Sequence, residues 1–278
     1  MKRLISKKKK KIWKNKASKI LTLTYFILLS FIALIASIKF EIGPIKFHLA
    51  EMGIFNFPFI WHFNTYIAAW LKFFLAIVIV SMMANEYSYG TLKQNLIDGL
   101  SKKEFILSKF LTVVVFALCS TVFVFVMSLI LGLCFSSYGE FDVILMNLDY
   151  LLAFFVKLTG FFSFCLFLGI LVKRSAFALG FLLVWTVIES ILKAVLAFRI
   201  FPNSNTDEQI MQFLPLEAMS NLIIEPFTRL SVIRNIGTQI GVYNTKDYGV
   251  HYVSILIVLA WTFLFVYFSY KLLKNRDL

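Results

Sequence analysis

The sequence has 278 residues, of which 60% are hydrophobic and only 15% are charged, and its formal net charge is +13. Globular chains are about half apolar and about a quarter charged, so this composition excludes a soluble globular domain and indicates an integral membrane protein. The 3 cysteines have no CxxC or Cys/His spacing, which argues against a disulfide framework and a cysteine metal site.

The chain begins with a strongly basic segment. Residues 1–19 contain ten lysines and arginines and no acidic residue, so the positive charge is concentrated at one terminus. We expect this segment to lie on the inner membrane surface, with Leu4, Ile5, Ile12 and Trp13 in the interface and the lysines facing anionic lipid. A disordered tail that only enforces topology is the alternative. A cleaved signal peptide is disfavoured, because the apolar run that follows exceeds the length of about 7 to 15 residues typical of one.

Six stretches are long and apolar enough to span a bilayer. A span takes about 20 mostly apolar residues, because the hydrocarbon core is roughly 30 Å thick. None of the stretches alternates as a β-barrel strand does. The sequence therefore predicts an all-α integral membrane fold with six transmembrane helices, as one domain over residues 1–278. The predicted spans cover residues 20–38, 63–84, 108–135, 150–172, 176–198 and 251–272.

The distribution of basic residues predicts the orientation. Basic loops stay on the cytoplasmic side of a membrane. If both termini are cytoplasmic, 19 of the 28 lysines and arginines fall in the inner segments. An even number of spans agrees with this arrangement, so we expect a multi-pass protein with both termini in the cytoplasm.

Two substantial loops are predicted on the outer side, at residues 39–62 and 199–250. The second contains the pieces TDEQIMQFL, PLEAMSNLII and EPFTRLSVIRNIG, which are interrupted by Pro215 and Pro226. Such pieces are typical of short amphipathic helices. We expect these short extracytoplasmic helices to cap the last two spans.

A polar segment at residues 85–107, which we call the elbow, separates the second and third spans. Leucines four residues apart predict a short helix that ends near Asp98, where Gly99 is placed to stop it. The sequence SKKE, which begins at Ser101, predicts a capping box and a new helix from Lys102. An ordinary turn is the simple alternative, but turns between antiparallel helices usually take about 2 to 8 residues. The pattern thus leaves a turn and a partner-docking surface both open.

The elbow and its flanks resemble the signature of the type-2 ABC transporter permeases. That signature has a glutamate at the inner end of the second span, Gly-Thr four residues later, then a basic residue, a small and basic turn, and a lysine entering the third span. The matching residues are Glu86, Gly90, Thr91, Lys93, Ser101, Lys102, Glu104 and Lys109. The six predicted spans, the basic N-terminal segment and the large loop between the last two spans are also similar to this family.

The resemblance implies that the elbow is a coupling helix, which docks on a separate ATPase subunit at the cytoplasmic membrane of a bacterium. It assigns this contact to Glu86, Gly90, Thr91, Lys93, Leu100, Ser101, Lys102, Lys103 and Glu104. The chain contains no Gly-Lys pair and hence no GxxxxGK(S/T) phosphate loop. We therefore expect no cofactor on this chain, with ATP and Mg²⁺ on the partner. A second permease chain, identical or paired, is also implied.

Four charged residues fall inside predicted spans: Lys72, Lys157, Glu189 and Lys193. Charges within a membrane are rare and indicate function. Glu189 precedes Lys193 by four residues, the favourable order for a helical ion pair. We therefore expect Glu189 to neutralise Lys193, and Lys72 as well, in a polar cluster that joins the second and fifth spans. The alternative is that these residues line a transport route or bind a polar headgroup.

The resemblance implies an exporter, and the apolar spans favour a hydrophobic or amphipathic substrate. Other classes stay open. One is an ABC membrane subunit that does mechanical or sensory work without moving a solute. A membrane enzyme would need a catalytic motif such as HExxH, GxSxG or paired glutamates, and the sequence has none. A secondary transporter or channel would be built on internal repeats, and no clear repeat joins the two halves.

Two weaker patterns complete the prediction. The three histidines, His48, His62 and His251, have no metal-ligand spacing, so we expect them in loops or at the membrane interface. Ala176 and Gly180 are four residues apart, a spacing that permits close approach of two membrane helices.

Overall fold

The structure is a computed structural model, and it describes residues 16–38, 40–42, 45–47, 53–202, 206–230, 233–234, 238 and 246–276. Within these ranges, 5 helices are long and apolar enough to cross a membrane. A bent pair of helices over residues 59–88 makes a sixth crossing if it counts as one span. The chain is therefore a helical membrane protein, as its composition predicts.

The helices and strands follow one another along the chain. The first helix, α1, covers Lys16–Ser37, and a short antiparallel hairpin of β1 (Phe40–Ile42) and β2 (Ile45–Phe47) follows it. Next come α2 (Phe59–Trp70), α3 (Lys72–Ser88), α4 (Thr91–Ile97) and α5 (Lys102–Phe135). Then come α6 (Phe141–Leu145), α7 (Asp149–Val172), α8 (Ser175–Val195) and a π-helical turn at Leu196–Ile200. The last are α9 (Thr206–Met211), α10 (Pro215–Asn221), a 3-10 turn at Phe227–Arg229 and α11 (Tyr252–Lys274).

The N-terminal part departs from the prediction in two ways. Residues 16–19 belong to α1, so this helix begins before the predicted span at residue 20. Residues 1–15 of the predicted basic interfacial segment lie outside the described residues. The hairpin of β1 and β2 adds two three-residue strands to the loop after α1, and the rest of the described fold is helical, as the all-α prediction has it.

The second predicted span, residues 63–84, is two helices rather than one. The axes of α2 and α3 meet at Leu71 with an angle of 45°. No proline or glycine lies between Phe59 and Ser88, so the sequence carries none of the usual signals of a kink. At the bend, the Lys72 ammonium lies 4.5 Å from the centre of the Phe161 ring on α7. This distance is that of a cation–π contact, which joins the bend to the centre of the bundle.

The centre of the bundle is α7. The candidate span Phe141–Val172 contains α7, and 78% of the residues in its most apolar part are buried. In the other four single-helix candidates the buried share is 28% or less. The neighbours of α7 are α2, α3, α5, α8, α10 and α11. These helices therefore depend on α7 for their positions, while α1 packs against α3.

Close helix approach occurs at Gly169 and not at the predicted pair of Ala176 and Gly180. A Cβ atom at Gly169 would lie 2.9 Å from the Cβ atom of Met83, so α7 and α3 meet there without room for a side chain. A Cβ atom at Gly180 would meet nothing within 4 Å among the described residues. Within the described part of the chain, Gly180 is therefore not a point where another helix approaches α8 closely.

The segment between α8 and α11 forms a cap, which we define as residues 206–230 and 246–250. The first two predicted amphipathic helices correspond to α9 and α10, and Pro215 begins α10, where proline suits the first turn. In the third predicted piece, the 3-10 turn at Phe227–Arg229 is described, and parts of the remainder lie outside the described residues. Because α10 packs against α7, α8 and α11, the cap covers the last two spans, as predicted, and α7 as well. The bundle therefore has a cap end and an elbow end.

We expect Gly169→Ala to lower the unfolding temperature of the purified protein in detergent, and the matched variant Gly180→Ala to leave it unchanged or slightly raised. The methyl group at position 169 would collide with Met83, and such overpacking costs roughly 1 to 3 kcal/mol. In the interior of a helix alanine is favoured over glycine by about 1 kcal/mol. Equal unfolding temperatures for the two variants would contradict the close approach at Gly169.

Candidate partner-docking site

Glu86 is the centre of the elbow. It lies near the C-terminal end of α3 and is only 3% exposed. Its Oε1 atom accepts a charged hydrogen bond from Lys109 Nζ on α5, at 2.6 Å. Its Oε2 atom accepts one from the Thr91 hydroxyl at 2.6 Å and a longer one from the Asn95 amide at 3.4 Å. One carboxylate thereby connects α3, α4 and α5.

Two glycines shape the turns on either side of α4. Gly90 has a φ angle of +64° and Gly99 one of +93°, and these left-handed conformations favour glycine. After Gly99, the Glu104 backbone N–H donates to the Ser101 hydroxyl, and the Ser101 backbone N–H donates to the Glu104 carboxylate. This is a capping box, and it begins α5 at Lys102. The predicted glycine stop and helix start are both confirmed.

The outward face of the elbow is accessible. Charged or amide side chains on it are exposed at Lys93, Gln94, Asp98 and Lys103. Two larger apolar side chains are also exposed: Tyr89 is 73% exposed and Ile97 is 77% exposed. A mixed polar and apolar surface on helices that are held in fixed positions can bind a partner protein, because these helices lose little conformational entropy on binding.

Lys102 makes contacts within the chain. Its ammonium donates hydrogen bonds to the carbonyl oxygens of Lys274 and Arg276, at 3.1 and 3.0 Å. The Arg276 guanidinium in turn donates to the carbonyl oxygens of Ile170 and Leu171, at 2.6 and 3.0 Å. The last carbonyls of a helix lack intrahelical partners, and these two cations satisfy them at the ends of α11 and α7. The elbow end is therefore connected to α7 and α11 as well.

The predicted ATPase-contact residues differ in their exposure. The exposed ones are Gly90, Lys93, Ser101, Lys103 and Glu104. The half-buried ones are Thr91, Leu100 and Lys102. Glu86 is buried and already bonded to Lys109, so the structure corrects its assignment to a contact surface. Glu86 instead supports the elbow from inside.

The predicted ion pair between Glu189 and Lys193 is not formed. The Glu189 carboxylate accepts a hydrogen bond from the Trp185 indole at 2.6 Å. It also accepts bonds from the backbone N–H groups of Leu216 and Glu217, at 3.1 and 3.0 Å. Lys193 pairs with the Glu217 carboxylate instead. The free N–H groups at the start of α10 attract a carboxylate, and this interaction takes the place of the pair within α8.

Lys72 and Lys157 do lie near each other, but without Glu189. Lys157 belongs to α7. Lys72 lies over the ring of Phe161, which is one helical turn further along α7. Within the described ranges neither lysine forms an ion pair with Glu189. The predicted four-membered cluster is therefore divided into a cap contact around Glu189 and a pair of cations.

The sequence prediction missed a buried network at the cap end, in which His62 lies on α2 and not in a loop. His62 is 0% exposed, and its ring stacks on Tyr150 with centroids 4.3 Å apart. The Arg229 guanidinium donates to His62 Nδ1 at 3.1 Å, so Nε2 carries the proton and donates to the Ile224 carbonyl at 2.8 Å. No sequence spacing connects these residues, because the cap brings them to α2 from far along the chain.

A second part of the same network surrounds Glu225. Lys246 Nζ lies 2.8 Å from its carboxylate, and the Thr228 hydroxyl donates to it at 2.8 Å. Burial raises the pKa of Glu225, but the hydrogen bonds from Lys246 and Thr228 outweigh burial and hold this pKa below its ordinary value. His251 lies 3.3 Å from Asp247 at the edge of the cap, and His48 lies outside the described residues. In the described part of the chain, no group of three or more His, Cys, Asp or Glu side chains could hold a metal ion.

We expect Glu86→Gln to destabilise the elbow, because it leaves the buried Lys109 ammonium without its carboxylate. Removing one partner of a buried pair costs about 3 to 5 kcal/mol. Hydrogen exchange of residues 91–97 should accelerate, and the unfolding temperature in detergent should fall.

The double variant Glu86→Gln/Lys109→Met serves as the control, since it removes both charges and should recover much of the lost stability. Lys103→Gln, on the exposed face, should change neither measurement. If the single and double Glu86 variants were equally unstable, the ion pair would not be the interaction that holds the elbow.

Two comparisons with known proteins bear on identity. The uncharacterized protein YhcI of Bacillus subtilis (strain 168) is 36% identical over 66 residues. That similarity covers 24% of this chain and 21% of YhcI, so it spans about a fifth of the length of that relative. A family model described as "Protein of unknown function (DUF2705)" matches residues 52–278, which include the elbow, every described helix after α1, and the cap. The chain belongs to the DUF2705 family.

Proposed function

We propose that this chain is the membrane-spanning subunit of an ATP-driven ABC transporter and that its elbow docks on a separate ATPase subunit. The observation that carries the proposal is the construction of the elbow. A buried ion pair between Glu86 and Lys109 fixes it from inside, while Lys93, Ile97 and Lys103 are exposed on its outward face. This arrangement is expected of a segment that transmits force from a partner.

The contacts of the elbow explain how movement would pass into the membrane. A displacement of α4 is transmitted through the Glu86 carboxylate to α3 and α5 together. Lys102 extends the connection to the end of α11, and Arg276 extends it to the end of α7. Closure of the ATPase would thus act on four membrane helices through hydrogen-bonded contacts.

The proposal places the elbow end in the cytoplasm. Counting α2 and α3 as one bent span gives six crossings, with α1 beginning and α11 ending at the elbow end. The basic residues Lys93, Lys103, Lys173 and Lys271 lie at that end and agree with cytoplasmic loops. This topology puts the cap on the outer face of a bacterial cytoplasmic membrane.

The proposal includes a second permease chain and an exported hydrophobic or amphipathic substrate. The candidate span Ser175–Ile200 contains α8, and only 11% of the residues in its most apolar part are buried. Large apolar side chains such as Phe177 and Leu183 are exposed on α8. Such a helix can face a second chain as well as lipid. The pathway would then lie between two copies of the bundle, with ATP and Mg²⁺ on the partner ATPases.

The test is co-purification with an ABC ATPase encoded next to this chain, from co-expressed proteins. We expect the ATPase to be retained by the wild-type chain and lost when Lys103→Glu is combined with Ile97→Asp. Both side chains are exposed, and neither takes part in the capping box or in the Glu86 contact. The helices of the elbow should therefore remain folded.

The matched control is Lys271→Glu, an exposed charge reversal near the same end but on α11, which should retain the ATPase. Circular dichroism and the unfolding temperature should be the same for all three proteins. Undiminished ATPase binding and stimulation in the elbow variant would overturn the docking assignment. Export of a lipid, peptide or drug by reconstituted vesicles would then be measured with the intact complex.

A further inference from the structure

Two lysines inside the bundle have an unusual environment. Lys157 lies on α7 and is only 4% exposed. Lys72 begins α3 at the bend and is half-buried, with its ammonium 4.5 Å from the centre of the Phe161 ring. Lys157 and Phe161 lie one turn apart on the same face of α7, so the Lys72 ammonium lies over the face that carries Lys157.

Neither ammonium forms an ion pair in the described part of the chain, where no carboxylate lies within 4.0 Å of either. The Glu217 carboxylate attracts Lys157 only from a longer distance. The polar contact of Lys157 is with the Ser220 carbonyl at 3.4 Å, which is longer than an ordinary charged hydrogen bond of about 2.7 to 2.9 Å. Lys72 contacts aromatic rings. The positive charges of Lys72 and Lys157 are therefore only weakly stabilised by their contacts.

The carboxylates nearby have other partners. Glu189 accepts hydrogen bonds from the start of α10 and from Trp185. Glu217 pairs with Lys193. An isolated charge is costly within a membrane, so a pair of like charges there indicates that an anion completes the site.

The site is open toward the lipid. On either side of Lys72, Trp70 is 67% exposed and Phe73 is 43% exposed. Tryptophan is enriched where the headgroups meet the hydrocarbon. On the other side, the contact with Ser220 places Lys157 directly beneath the cap. A ligand would therefore enter sideways from the leaflet at the cap end, with its charged group at Lys72.

We propose that Lys72 and Lys157 form a binding site for the phosphate of an anionic lipid from the leaflet at the cap end. A phosphate has several strong acceptor oxygens and can accept from both ammonium groups, while the acyl chains lie along Trp70 and Phe73. The site requires that the chain spans a membrane, which its helices support, but it does not require the ATPase. Binding of a lipid at this position would also fix the bend between α2 and α3.

The experiment compares phosphatidylglycerol with phosphatidylcholine of the same acyl chains, added to the purified full chain in neutral detergent. Retained lipids are counted by native mass spectrometry, and the unfolding temperature is followed during the titration. We expect the wild type to retain phosphatidylglycerol preferentially. Lys72→Gln and Lys157→Met should each weaken this retention about tenfold, as loss of one charged hydrogen bond predicts.

Two controls separate this site from general attraction to anionic lipid. Lys271→Gln removes an exposed lysine at the elbow end and should keep the preference of the wild type. The basic N-terminal segment is present in every variant, so its contribution is common to all. In phosphatidylcholine alone, Lys157→Met should unfold at the temperature of the wild type or higher, because it removes a buried charge that forms no ion pair in the described part of the chain.

Three results would overturn the proposal. In the first, wild type and the Lys72 and Lys157 variants retain phosphatidylglycerol equally. In the second, Lys271→Gln weakens retention as much as Lys72→Gln. In the third, inorganic phosphate raises the unfolding temperature as much as phosphatidylglycerol, which would indicate a site for a free anion. ATPase co-purification with Lys72→Gln is a separate measurement, so failure of the lipid site would leave the docking proposal intact.

Discussion

The buried contact between Glu86 and Lys109 is the interaction on which the elbow end depends. An ionised carboxylate removed from water must be paired and hydrogen-bonded, or it destabilises the fold by several kcal/mol. The chain meets this requirement with Lys109 from α5 and Thr91 from α4, so three helices are held at fixed positions around one side chain. A polar turn without such a centre would only reverse the chain. With it, the elbow becomes a braced surface that can transmit a displacement.

The same requirement operates at the helix ends elsewhere in the bundle. Lipid cannot hydrogen-bond to free backbone groups, so the protein must satisfy them itself. Arg276 supplies donors to the last carbonyls of α7, and Lys102 does so for α11. At the cap end, Glu189 accepts from the first N–H groups of α10. Each of these side chains joins an element to a neighbour that is distant in sequence, and together they connect both ends of the bundle to its centre.

Lys72 and Lys157 are the exception to this pattern. Every other buried charge that the structure describes in detail, from Glu86 to Glu189, has partners of opposite sign or several hydrogen-bond donors. Lys72 and Lys157 have an aromatic ring and a distant carbonyl. This contrast is the reason for assigning an external anion to them, and it gives the bend between α2 and α3 a chemical role in addition to a geometric one.

The sequence by itself determined the membrane class, the positions of five spans, the glycine stop at Gly99 and the capping box at Ser101, since these depend on local composition and on hydrogen bonds between residues close in the chain. Tertiary structure decided the rest. The bend at Leu71 has no proline or glycine that would predict it, and close approach occurs at Gly169 rather than at Gly180. Glu189 prefers the start of α10 to Lys193, although the spacing within α8 favoured that pair. The physical reason is that a buried polar group pairs with the most favourable partner close to it in space. Most of these partners lie on other helices, and a local sequence pattern does not indicate which helices come into contact.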